Sequence, residues 1–227
     1  MEDLVMKKLL VLTVMLLTAC CNISPQHTHH DAYNALWHSV VFIRGTMVGE
    51  NLSPVNYTGS GVIVYHRNGY TYVLTAAHVG EPQAILEVED ESGNIYQVTE
   101  VIQHRTRDVA LLKVKGIFGQ AVSIWHGLRL NPSTRAWIVG YPVGIKIIND
   151  GRIIGYNDNF VLFSCGCAPG LSGGGLFIEH DGRWYLYGIV SRIPVVKIFQ
   201  VPNGIWFMGM AEPYLYCQEL LDYIIKR

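Results

Sequence analysis

The chain has 227 residues, is 50% apolar and 15% charged, and carries a formal net charge of -1. Globular chains carry roughly 25% charged residues, so a chain this apolar and this poor in charge is not intrinsically disordered. The balanced charge argues against a dedicated nucleic-acid binder, which needs a strongly basic face, and the length suits one large domain or two small subdomains.

The amino terminus reads as an address. Lys7 and Lys8 form a basic head, and Leu9 to Leu17 a short apolar run. A bilayer span needs about 20 apolar residues, so the run is a secretory signal and not a membrane helix. It ends in Leu17-Thr18-Ala19-Cys20, which resembles the lipobox of bacterial lipoproteins. That resemblance implies loss of residues 1–19, lipidation of Cys20 and a membrane anchor, on the outer membrane facing the periplasm in a Gram-negative host. Glu2 and Asp3 suit a signal poorly, so Met6 competes with Met1 as the start. Residues 20–38 are expected to be the lipidated cysteine and a tether. His27, His29 and His30 lie in it without a Cys or carboxylate pattern to complete a metal site, so no metal is expected there.

From Ser39 onward the pattern changes to short β-rich runs separated by turn residues. Ser39 to Met47, Tyr57 to His66, Tyr70 to Thr75, Gln83 to Asp90, Ile95 to His104 and Val109 to Val114 form one set. His66-Arg67-Asn68-Gly69 reads as a hairpin turn. Gly116 to Pro132 reads as a long connection. The second set is Ala136 to Gly140, Ile145 to Asn149, Arg152 to Tyr156, Phe160 to Cys165, Gly174 to Glu179, Trp184 to Ser191 and Ile205 to Met210. Pro213 to Ile225 has helical spacing, with Leu215, Leu220, Leu221 and Ile224 on one expected face. Two sets of strands around a linker suggest an all-β chain of two small barrels, 39–120 and 132–227, closed by a C-terminal helix.

Three short motifs carry the chemistry. Thr75-Ala76-Ala77-His78 ends a strand, Asp108-Val109-Ala110-Leu111-Leu112 begins one, and Gly170-Leu171-Ser172-Gly173-Gly174-Gly175 is glycine-rich. A serine hydroxyl is a weak nucleophile until a base accepts its proton, and an imidazole that titrates near neutral pH suits that task. In the order His, Asp, Ser, the motifs resemble the trypsin/chymotrypsin-like serine peptidases over residues 39–226. Gly59-Ser60-Gly61-Val62-Ile63 and the short His-to-Asp interval are most similar to the bacterial HtrA (Deg) branch. The resemblance implies two six-stranded antiparallel Greek-key barrels. It also implies a triad of His78, Asp108 and Ser172, and an oxyanion hole from the amides of Gly170 and Ser172. His104, a few residues before Asp108, competes as the base but lacks the small-residue context.

Departures from the family matter as much. Leu171 stands where digestive-type relatives carry an Asp that pairs with a new amino terminus. A leucine cannot make that ion pair, so activation by cleavage near residue 40 is not expected; a preformed and a partner-induced oxyanion loop both stay open. The specificity pocket is expected between Cys165 to Ala168 and Val190 to Ile193, with Cys167, Ala168, Ser191 and Ile193 as its walls. No carboxylate lies in the first stretch, so small or medium apolar substrate side chains are expected. Ser191 also matches a position that supports the buried Asp or the substrate backbone. Arg192 and Ile193 stand where relatives often have an aromatic or a small residue, which implies a partly closed pocket. No PDZ module is expected after the final helix. Cys21, Cys165, Cys167 and Cys217 allow three connectivities, and free thiols or one bond to Cys217 both stay open.

These readings converge on a membrane-tethered serine endopeptidase that acts on protein or peptide substrates of the envelope or exterior. No cofactor and no nucleic-acid partner are expected, and the oligomeric state stays open. The alternative is a non-catalytic lipoprotein that uses the same fold as a binding platform.

Overall fold

The computed structural model describes residues 29–49, 51–157, 160–192 and 209–226. The signal segment 1–19, Cys20, Cys21 and Ile193 lie outside the described residues. Within the expected tether, His29–Leu36 forms helix α1, followed by a 3-10 turn over Trp37–Ser39. Ala32 and Leu36, four residues apart on one helix face, are buried.

The first barrel comprises β1 (Val40–Val48), β2 (Pro54–Arg67), β3 (Tyr70–Thr75), β4 (Ile85–Glu89), β5 (Ile95–Gln103) and β6 (Ala110–Lys115). It closes in the order β1-β2-β3-β6-β5-β4, a Greek-key arrangement in which every pair is antiparallel. The β2–β3 turn has Asn68 at φ 51° and Gly69 at φ 79°. Two successive positive φ values make the turn whose twist matches a right-handed hairpin. Alternate residues point inward, so Val41, Ile43, Ile63, Val73, Leu112 and Val114 fill this barrel.

The connection after β6 holds a short strand, β7 (Ser123–Ile124), which pairs in parallel with Tyr185 and Leu186. The second barrel is built from β8 (Arg135–Gly140), β9 (Ile147–Asn157), β10 (Phe160–Phe163), β11 (Gly175–His180), β12 (Arg183–Arg192) and β13 (Gly209–Pro213). Its ring runs β8-β9-β10-β13-β12-β11 and returns to β8. The expected separate strands 145–149 and 152–156 are one strand. Asp150 and Gly151 resemble a turn but pair with Trp137 and Ala136 of β8, because continuous pairing satisfies backbone groups that a turn there would leave open. One apolar cluster joins the barrels, with Val62, Leu74 and Leu111 from the first and Ile138, Leu176 and Ile189 from the second. Each such side chain contributes about 1.5–3 kcal/mol when fully buried.

Helix α2 (Tyr214–Ile225) starts where Pro213 is extended. It buries Cys217, Leu220, Leu221 and Ile224, the i, i+3, i+4, i+7 spacing of one face. Leu215 was expected on that face and is 56% exposed instead. Two residues of helix turn it about 200° away from Cys217, and Cys217 occupies the inward place.

Candidate active site

Strand pairing brings His78 and Asp108 together. β3 and β6 are antiparallel neighbours with Thr75 opposite Ala110, so the end of one strand lies beside the start of the other. His78 follows β3 in a turn closed by the Val79 and Gly80 amides donating to the Ala76 carbonyl at 3.0 and 2.9 Å. Asp108 precedes β6. The His78 backbone N–H donates to Asp108 Oδ1 at 3.0 Å, and the ring Nδ1 lies 3.0 and 2.9 Å from the two carboxylate oxygens. A carboxylate only accepts, so Nδ1 carries the proton and Nε2 is left to the cleft.

Ser191 donates from Oγ to Asp108 Oδ2 at 2.5 Å. Burial alone would raise the Asp108 carboxyl; the hydrogen bonds from His78 and Ser191 outweigh it and hold the group at about 2. The Asp108 amide donates to Glu212 Oε1 at 3.1 Å. Glu212, on β13, is 1% exposed and is held by Arg107 through Nε at 2.8 Å. The Arg107 guanidinium lies 4.5 Å from the Tyr216 ring centre and 5.1 Å from that of Phe160. Glu212 thus ties the carboxylate loop of the first barrel to the second. No motif marks it, because it lies more than one hundred residues further along the chain.

Ser172 stands in a tight loop before β11 that is held mostly by neutral groups. Leu171 is 1% exposed and lies against Gly140. Gly173 has φ +84°, and a Cβ there would lie 2.0 Å from the Ser60 carbonyl oxygen, so no other residue fits. Its N–H donates to the Val190 carbonyl at 2.7 Å. Ser60, fully buried, links the barrels: its N–H donates to the Ser172 carbonyl at 2.8 Å and its Oγ to the Gly170 carbonyl at 2.9 Å. The same Oγ accepts the Tyr141 N–H at 2.8 Å.

The Pro169–Gly170 peptide is oriented by Val143, whose N–H donates to the Pro169 carbonyl at 2.9 Å. In a trans peptide the N–H points opposite to the C=O, so the Gly170 N–H faces away from Val143. Among the described residues, neither the Gly170 nor the Ser172 N–H donates to a protein acceptor, whereas their neighbours Leu171 and Gly173 do. Val143 has φ 47°, an outlier for a β-branched residue that persists only where its surroundings hold it. Beyond that turn, Lys146 donates from Nζ to the carbonyls of Trp37 at 2.5 Å and Val40 at 2.7 Å. Burial lowers the Lys146 ammonium to about 8 against the raising influence of Glu91 and Asp90.

His78, Asp108 and Ser172 line one cavity of about 770 Å3, with Cys167, Ala168 and Ser191 also in its wall. Ser172 Oγ donates to the Ser191 carbonyl at 3.5 Å and makes no hydrogen bond to His78 in this structure. Of the expected pocket residues, Ile193 lies outside the described ones. His104 also borders the cavity, but its Nε2 is 3.0 Å from Glu219 and its Nδ1 accepts from the Thr106 amide at 3.3 Å, so both nitrogens are committed elsewhere. Cys165, Cys167 and Cys217 are free thiols. Burial pushes Cys165 and Cys167 up to about 12, which keeps them protonated and poorly nucleophilic. Sequence reasoning missed Ser60, Val143, Arg107 and Glu212 as supports of the site, and Lys146 as a brace three residues beyond Val143. The Gly59-Ser60-Gly61 signal stood in view for the first; the rest carry no local signal.

The family model described as the trypsin-like peptidase domain matches residues 59–189, more than half of the chain and a span that includes His78, Asp108 and Ser172. A search of the curated proteins finds no match.

Proposed function

Because the chain belongs to the family of trypsin-like peptidase domains, and so to the peptidases, we propose that it is a serine endopeptidase whose nucleophile is Ser172. The observation that carries this reading is the His78 Nδ1–Asp108 bond in a cleft that also holds Ser172, beside a loop whose Gly170 and Ser172 amides donate to no protein acceptor among the described residues. For the attack the Ser172 hydroxyl has to exchange the Ser191 carbonyl for His78 Nε2. Bonds of this kind often tighten only with substrate present.

The reaction then has two halves. As Oγ attacks the scissile carbonyl carbon, its proton passes to Nε2 and the carbonyl π electrons move onto oxygen. Asp108 stabilises the resulting imidazolium and keeps the ring in its tautomer. The Gly170 and Ser172 N–H groups receive the oxyanion, a role worth roughly 2.7–4 kcal/mol per donor. The intermediate collapses by breaking the C–N bond, and the amine leaves with the proton from Nε2. Water, deprotonated by the same ring, then hydrolyses the acyl-enzyme and restores Ser172.

The reading extends to place and substrate. Lys7, Lys8, the apolar run Leu9 to Leu17 and Leu17-Thr18-Ala19-Cys20 support a lipid anchor at Cys20, so that the substrates are envelope or extracellular proteins. Gly59-Ser60-Gly61 supports placement near the HtrA branch.

A fluorophosphonate probe tests the chemistry. Wild type is expected to be labelled on Ser172 and Ser172→Ala not at all; a folded wild-type protein that resists labelling overturns the reading. Metabolic labelling with palmitate, lost in Cys20→Ser together with membrane association, tests the anchor.

A further inference from the structure

Three arginines line the cleft that holds Ser172: Arg105, Arg107 and Arg192. They differ in what holds them. Arg107 is committed to the buried Glu212, so its charge is cancelled where it stands. Arg105 and Arg192 are exposed, and among the described residues neither side chain makes an ion pair or a hydrogen bond. Arg192 directly follows Ser191, whose carbonyl accepts from the Ser172 hydroxyl, and its guanidinium lies 5.4 Å from the Phe160 ring centre. That ring restricts the side chain without neutralising it. Arg105 comes from the opposite barrel, three residues before Asp108.

The acids lining the same cleft do not balance these charges. Asp108 is committed to His78 and Ser191. Glu81, on the turn after His78, is the other lining carboxylate, and it makes no ion pair with either arginine. His104, the remaining cation-forming side chain in the wall besides His78, is matched by Glu219. Two guanidinium groups therefore border the cleft with no acceptor among the described residues, and their planar forks match carboxylates.

We propose that this peptidase takes substrates carrying Asp or Glu close to the scissile bond, read by Arg192 and Arg105. This rests on the reading of Ser172 as the nucleophile of the same cleft. A cavity of about 770 Å3 holds only a few residues of extended peptide at about 3.3 Å per residue, so the acids read lie within a few positions of the cut. The preference concerns flanking residues and is compatible with a small apolar side chain in the pocket walled by Cys167 and Ala168. The arginines also steer acidic segments into the cleft, and this attraction weakens as salt rises.

The test uses the full chain and quenched peptides cleaved at one bond that differ only in carrying Glu, Ala or Lys on either side of it. At low salt, kcat/KM is expected to rank Glu above Ala above Lys, with about two- to fivefold per arginine for exposed pairs. The spread is expected to shrink at high salt. Arg105→Gln with Arg192→Gln is expected to erase the ranking, and Arg105→Glu with Arg192→Glu to invert it. If the reversed variant does not fold, the Gln variants alone decide. A wild type that cuts Lys peptides as fast as Glu peptides overturns the proposal. So does a ranking that persists in the Gln variants. In both cases fluorophosphonate labelling of Ser172 in wild type shows that the nucleophile assignment still stands. A wild type that is never labelled overturns both.

Discussion

The two sides of the cleft are held by different forces. Asp108 is fixed by charge: His78, Ser191 and the Arg107–Glu212 pair all converge on it or on its amide. The Ser172 loop is fixed by shape and by neutral hydrogen bonds, through buried Leu171, Ser60 and the Val143 amide. Charged contacts answer to pH, whereas apolar packing answers to volume. With leucine before Ser172, that loop therefore has no carboxylate at this position to titrate, and the pH sensitivity is concentrated on the Asp108 side and on Lys146.

The largest effect is expected from Asp108→Asn. The amide leaves the geometry nearly intact but presents a donor to Nδ1 and favours the wrong tautomer, so kcat is expected to fall about 10⁴-fold, read by steady-state hydrolysis. On the other side, Leu171→Ala removes packing without touching a charge. It is expected to cost about 2–5 kcal/mol, seen as a lower denaturation midpoint, with the loss of stability independent of pH between 5 and 8.

Ser60→Ala is a subtler break. It strips the partner from the Tyr141 N–H and the Gly170 carbonyl, a cost of about 1–3 kcal/mol for each buried group left unpaired. Because it loosens donors and leaves the cleft walls in place, kcat is expected to fall while KM stays near wild type. That pattern would separate a positioning role from one in substrate binding.

Acid titration sharpens the charged side. The Asp108 carboxyl lies at about 2 in the fold against about 3.9 in an unfolded chain. Its contribution to stability is therefore complete above pH ~4 and is lost as pH falls toward 2. The thermal midpoint of wild type should drop more across that window than the midpoint of Ser191→Ala, which lacks one of the bonds that lower the group.

The smallest effect is expected from Lys146→Met, which keeps the apolar stem beside Trp37 and Tyr141 but removes the donors to Trp37 and Val40. A severalfold loss of kcat is expected near pH 7. As the wild-type ammonium loses its proton above pH ~8, its two bonds lose their charge assistance, and its difference from the variant should narrow in part, read from paired pH–rate profiles.

Much of this was legible along the chain. Short alternating runs place most strands within a few residues of their observed bounds, because side chains facing a barrel interior must recur every second position. The Asn68-Gly69 turn is legible because few other residue pairs adopt two positive φ values. The strand through Asp150 and Gly151 was not, since turn-forming residues inside a ladder are recognised only by their partners on β8. Helix α1 was not either: Ala32 and Leu36, set among polar residues, become a packed face only once a core exists to receive them.

His78, Asp108 and Ser172 announce themselves through short motifs, because the tight turns that carry them demand particular small residues next door. The supports do not. Glu212 beneath Asp108, Lys146 behind the Val143 turn, and the contrast between Arg107, paired with Glu212, and Arg192, without an ion pair among the described residues, depend on segments far apart in the chain. The amino-acid order determined which chemistry was present and which strands would form. Only closure of two barrels onto a shared apolar interface decided which charges meet and which are left facing the cleft, because electrostatic interaction depends on distance in space and not along the backbone.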